Sequence, residues 1–136
     1  MPELLIIDND ESLTELLNTY LCNQGYSVTV AENGSIYGRT LHNRAPDPDL
    51  IILDVNMPHR NGWESLERIR EVSDVPVIML TARAEEPDIL RDFSQGADDY
   101  VTKPFSFPQL AARIQAALTQ TSRQPLTRRR KLKKVI

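Results

Sequence analysis

One cysteine, one tryptophan and five glycines in 136 residues leave little from which to build a stapled or loop-rich protein. Cys22 alone cannot close an intramolecular disulfide, and no CxxC or paired Cys/His spacing offers a structural zinc site. No apolar run approaches the ~18 residues that span a bilayer, and the N-terminus lacks a signal-peptide pattern, so a cytoplasmic protein without membrane contact is expected. None of these absences threatens folding, because a chain this long can bury about two-thirds of its unfolded surface in a single core. Lysine is scarce in a more pointed way: residues 1–120 hold eight Arg and a single Lys, Lys103.

Charge is plentiful but unevenly placed. Residues 1–120 carry 19 Asp/Glu against nine Lys/Arg, a net of −10, whereas residues 121–136 carry seven Lys/Arg and no acid, a net of +7. The overall −3 describes neither part. A folded domain over 1–120 and a basic linker or tail over 121–136 are therefore expected. Arg128-Arg129-Arg130-Lys131 and Lys133-Lys134 suit phosphate contacts. The tail nevertheless has neither recognition helix nor aromatic platform, and reads rather as a solvated connection to a further domain.

Within 1–120, short apolar runs alternate with amphipathic stretches. Residues 4–7 and 50–53 are wholly apolar and each stops at an acid, as strands buried on both faces do. Leu13, Leu16, Leu17, Tyr20 and Leu21 recur at helical spacing, and Gly25 closes the helix. Residues 26–31 alternate as a strand, with Val28 and Val30 on one face, and Asn33-Gly34 leads to a weak helix through about Arg44. A helix with Trp63, Leu66 and Ile69, a strand over 75–80, a helix up to Gly96 and a strand over 99–102 follow. The last helix carries Leu110, Ala111, Ile114, Ala117 and Leu118. Five strand–helix alternations with crossover-length connections predict a doubly wound (βα)5 α/β domain with a five-stranded parallel sheet.

Ligands bind such sheets at the carboxyl ends of the strands. Four of the five predicted ends carry polar residues: Asp8-Asn9-Asp10, Asp54, Thr81 and Lys103. The bland explanation is that polar residues simply begin where strands stop, with Asp8 or Asp10 capping the first helix. As a set, however, their types fit one chemistry. Gathered acids bind a hard cation, Mg2+ above all, through one or two carboxylates plus water and phosphate. A carboxylate is also a nucleophile toward phosphorus, and Lys103 and Thr81 supply the point charge and hydroxyl that a transferring phosphoryl group requires.

Ile6-Ile7-Asp8-Asn9-Asp10, Leu53-Asp54-Val55-Asn56-Met57-Pro58 with Gly62, Leu80-Thr81-Ala82 and Tyr100-Val101-Thr102-Lys103-Pro104-Phe105 resemble the receiver domain of bacterial two-component response regulators. Gly96-Ala97-Asp98-Asp99-Tyr100 with Lys103-Pro104-Phe105-Ser106 is similar to the OmpR/PhoB branch, transcription factors with a winged-helix output domain. The resemblance covers about residues 3–120. It implies the flavodoxin-like strand order 2-1-3-4-5, and a signalling switch, rather than an enzyme, that takes part in its own phosphoryl transfer. Asp54 would accept the phosphoryl group from a sensor histidine kinase. Asp8, Asp54 and the backbone carbonyl of Asn56 would hold Mg2+. Lys103 and Thr81 would contact the phosphoryl oxygens, and Thr81 and Tyr100 would rearrange on activation. DNA would be bound only through an output domain beyond this chain.

Two departures from the family pattern stand out. The family places two adjacent acids after the first strand, and here the second position is Asn9, a neutral ligand at best, so weaker Mg2+ binding is expected, with Asp10 a candidate substitute. Homodimers of this branch pair through charges on the fourth helix, fifth strand and fifth helix. Asp99 and Arg113 match one such pair, a second is replaced by Ile89 and Gln109, and the partner expected for Asp98 falls at Gln120. A weaker or rearranged dimer follows. The rival readings are a pseudo-receiver that binds partners without phosphorylation, motivated by Asn9, and a Mg2+-dependent phosphatase. The phosphatase lacks a second acid two residues after its nucleophile, where Asn56 stands.

Overall fold

The computed structural model describes residues 2–31, 48–54, 62–81 and 96–123. Strand β1 (Glu3–Ile7) is followed by helix α1 (Glu11–Asn23), β2 (Ser27–Ala31), β3 (Leu50–Asp54), α2 (Gly62–Val72), β4 (Val77–Thr81), β5 (Asp99–Thr102) and α3 (Phe107–Arg123). The helices expected over 35–44 and before Gly96, the Asn56 loop, Ile89 and the basic cluster at 128–134 lie outside the described residues.

All strand pairs are parallel, in the order β2-β1-β3-β4-β5. The period of two along each strand divides the core into two layers. Leu5, Ile7, Ile51, Leu53, Val77 and Met79 meet Leu66 and Ile69 of α2 on one face of the sheet. Leu4, Ile6, Leu50, Ile52, Ile78 and Leu80 meet Leu17 and Leu21 of α1 and Leu110 and Ile114 of α3 on the other. Every residue of β3 and β4 is buried, which is why those runs carry no polar alternation. Tyr20 of α1 and Phe107 of α3 close the seam between their helices, with ring centroids 5.4 Å apart. Ser65 of α2 is also buried, and its hydroxyl finds no hydrogen-bond partner.

Local differences from the sequence expectation have physical causes. Leu16 is 60% exposed rather than buried. At about 100° per residue it lies roughly 130° from the centre of the buried arc formed by Thr14, Leu17 and Leu21. Val30 is 38% exposed because β2 is an edge strand. Strand β4 begins at Val77, not Val75: Pro76 has no N–H to donate, and the Val75 carbonyl accepts from Arg70. Gly25, at φ +97°, ends α1 in the left-handed region that favours glycine.

Candidate functional site

β1, β3 and β4 end side by side, and each delivers a polar residue to the same edge of the sheet. Asp8 directly follows β1, Asp54 is the last residue of β3, and Thr81 is the last of β4. All three are buried, at 2%, 3% and 3% exposure. Lys103 follows β5, and its backbone N–H donates to the Thr81 carbonyl at 2.7 Å, extending the β4–β5 ladder by one bond. The Lys103–Pro104 peptide is cis.

The Lys103 ammonium lies between the two acids, 3.6 Å from Asp8 Oδ2 and 3.5 Å from Asp54 Oδ1. The Asp8 side chain is fully buried. Its Oδ1 accepts the Asp10 N–H at 3.0 Å, whereas Oδ2 has no hydrogen-bond donor. Burial, joined by the neighbouring Asp54 carboxylate, raises the Asp8 pKa from 3.8 to about 6, against the lowering pull of the Asp10 N–H and of Lys103. A proton on Asp8 would also supply a hydrogen bond to Asp54, which adds to the upward shift.

Two buried acids and one cation leave net negative charge in a place that disfavours it. The Asp8 oxygen without a donor is the sharpest expression of that excess. The donor set, two carboxylates at the mouth of a parallel sheet, fits a small hard cation that keeps several waters. Among the described residues no three acids, histidines or cysteines cluster tightly enough to cage a metal alone.

Asn9 is exposed beside Asp8. Asp10 serves α1: its Oδ1 accepts the Leu13 N–H at 3.1 Å as the helix N-cap. Tyr100 is half-buried in β5 and packs against the α2-side core. Asp99 and Arg113 form an ion pair at 2.9 Å on the β5–α3 face. A groove of about 370 Å³ lies on the same face, lined by Tyr100, Val101, Thr102, Pro104, Gln109 and Arg113. Asn56 lies outside the described residues. Sequence reasoning missed Arg70 of α2, which reaches 26 positions along the chain to Gly96, a contact with no local signature.

The fold and the site together define a flavodoxin-like α/β domain carrying an acid pair and a lysine at the carboxyl edge of its sheet. Residues 4–115 match the response regulator receiver domain, and the chain belongs to that family. It is 45% identical to a CpxR-homologue transcriptional regulatory protein of Haemophilus influenzae, over 90% of this chain and 52% of that protein. It is 41% identical to the DNA-binding transcriptional regulator RpaA of Synechocystis, over 92% of this chain and 52% of the other. The chain thus spans about half the length of these curated relatives. Among solved structures, a two-component response regulator from Clostridium difficile superposes with a TM-score of 0.83 at 29% identity, over 89% of this chain and 98% of that one. No helix among the described residues is long and apolar enough to cross a membrane.

Proposed function

We propose that this domain accepts a phosphoryl group on Asp54 from the phosphohistidine of a sensor histidine kinase and passes the signal to a DNA-binding output domain. The observation that carries the reading is the Lys103 ammonium held between two buried carboxylates at 3.5 and 3.6 Å. An Asp54 oxygen attacks phosphorus, the P–N bond of the phosphohistidine breaks, and the electron pair returns to the imidazole. Lys103 then pairs with a phosphoryl oxygen, and the Thr81 hydroxyl, one strand over, donates to another. Asp8, Asp54 and the Asn56 backbone carbonyl would hold Mg2+, which when bound neutralises charge on the phosphoryl oxygens. Asn9 is neutral where the family pattern has an acid, so Mg2+ is held more weakly.

The downstream reading rests on the relatives, which are named transcriptional regulators and run to about twice the length of this chain. Residues 121–136 then connect the receiver, 1–120, to a winged-helix domain that makes the DNA contact. The protein works in the cytoplasm as a switch, not as an enzyme. Its homodimer forms through the face that carries Asp99 and Arg113, more weakly than in relatives with a full set of charge pairs. The joint presence of Asp54, Thr81 and Lys103 speaks for phosphorylation over a phosphate-independent binding module.

The test is exposure to acetyl phosphate across a Mg2+ series, followed by intact mass with Asp54→Asn as control. A Mg2+-dependent gain of one phosphoryl group that vanishes in the control is the expected result. No adduct at any Mg2+ concentration, or continuous phosphate release from monoesters, would overturn the proposal.

A further inference from the structure

The start of β5, at the opposite end of the strand from Lys103, is held by a second cluster. The Arg70 side chain, in the last turn of α2, is only 10% exposed. Its Nε and Nη2 both donate to the Gly96 carbonyl, at 2.9 and 2.7 Å. Nη1 donates to the Val75 carbonyl at 2.6 Å, and Nη2 meets Asp98 Oδ2 at 3.0 Å. That same Asp98 oxygen accepts the Val77 N–H at 2.8 Å, while the Asp98 N–H donates to the Val77 carbonyl at 2.9 Å. Gly96 sits at φ +98°, and a Cβ there would lie 3.1 Å from Arg70 Nε, so a side chain would strain the backbone and crowd the guanidinium. One planar guanidinium thus ties the end of α2 to the segments leading into β4 and β5. A lysine, which lacks the fork, cannot reproduce that.

Strand β5 needs such an anchor. It is four residues long, lies at the sheet edge and is paired only with β4, so an anchor at its start adds to the short ladder in fixing its register. A slip of one residue would reverse every side chain between the two faces. We infer that Arg70 is a positioning residue for the phosphoryl site: by fixing Gly96 and Asp98 it sets where β5 begins, and thereby where Tyr100 and Lys103 stand. This rests on the reading of Asp54 as phosphoacceptor. It also makes Asp98 part of the internal frame rather than a charge offered to a second copy of the chain, which accords with the uncharged Gln120 where a partner was expected.

The experiment compares wild type, Arg70→Met and Arg70→Lys, all fully folded by circular dichroism. It measures single-turnover phosphorylation by acetyl phosphate at saturating Mg2+, together with amide NMR shifts of Tyr100 and Val101. Arg70→Met should lower the rate about tenfold or more, since a displacement of ~1 Å at a reacting group can cost about a hundredfold. Arg70→Lys should not restore it. In a Lys103→Met background, Arg70→Met should have little further effect, because both act through the same ammonium. A wild-type rate in Arg70→Met, or a loss that multiplies undiminished with Lys103→Met, would overturn the inference. The NMR shifts do not depend on phosphorylation. If wild type takes no phosphoryl group, the Asp54 reading fails, and unmoved shifts would separately refute the placement of β5. Should Arg70→Met fail to fold, Asp98→Asn serves in its place, with a smaller loss in the same direction expected.

Discussion

Asp8→Asn is the most informative single change at the site, because it removes a charge while keeping shape. The amide that replaces the carboxylate retains an oxygen for the Asp10 N–H, the one hydrogen bond that Asp8 Oδ1 accepts. What disappears is a buried anion whose pKa is raised from 3.8 to about 6 by burial and by the adjacent Asp54. The folded value lies above the unfolded one, so the native state holds this proton more tightly. The stability it brings is complete below the unfolded value of 3.8 and is lost as pH rises through about 6. The displacement corresponds to on the order of 3 kcal/mol. Without Mg2+, Asp8→Asn should therefore be more stable than wild type by up to about 3 kcal/mol near pH 8, and the gap should be about halved at pH 5. Urea unfolding with a chelator present, at both pH values, measures this directly. Added Mg2+ should raise wild-type stability more than that of the variant, because an ion that binds only the native state stabilises it by mass action. A variant no more stable than wild type near pH 8 would refute the assignment of Asp8 as a strained, cation-seeking carboxylate.

Three further outcomes are expected. Asn9→Asp should tighten Mg2+ binding about tenfold or more: a charge pair at ~4 Å is worth about 4 kcal/mol at an effective dielectric of ~20, offset by repulsion from Asp8. Fluorescence of the single Trp63 or calorimetry reads this, and an unchanged titration would contradict it. Asp10→Ala removes the α1 cap and should lower stability by about 1 kcal/mol in urea unfolding. Its Mg2+ titration should stay that of wild type, since Asp10 Oδ1 is engaged by the Leu13 N–H; a weakened titration would return Asp10 to the ligand set. Ser65→Ala deletes a buried hydroxyl without a partner and should leave the melting temperature unchanged or raise it, because an unpaired buried polar group costs about 1–3 kcal/mol. A clear fall would expose a missed hydrogen bond.

The sheet was legible because its inner strands are buried on both faces, which leaves runs such as Leu50-Ile51-Ile52-Leu53 with no competing interpretation. The site was legible for the same reason in reverse: acids, a threonine and a lysine stand where burial patterning cannot account for them. Two carboxylates were equally good helix caps on paper. Only the folded chain separates Asp10, which caps α1, from Asp8, which turns to Lys103. Leu16 misled because apolar spacing marks an arc wider than the one that is covered, and the covered arc takes in Thr14 instead. Arg70 was invisible because its partners, backbone carbonyls and Asp98, come together only after α2, β4 and β5 have packed.

Asp54 terminates β3, which is bonded on both sides, to β1 and β4, and buried along its whole length. Amide hydrogens in such a strand exchange with solvent only when the entire domain opens, whereas those of a one-sided margin strand such as β5 escape through smaller, local openings. On the function proposed above, the phosphoryl group is accepted on one of the doubly bonded inner strands, and Tyr100 stands on a margin strand. A chemical signal would then be received where the sheet resists local opening and displayed where a modest free-energy change suffices to reshape the surface.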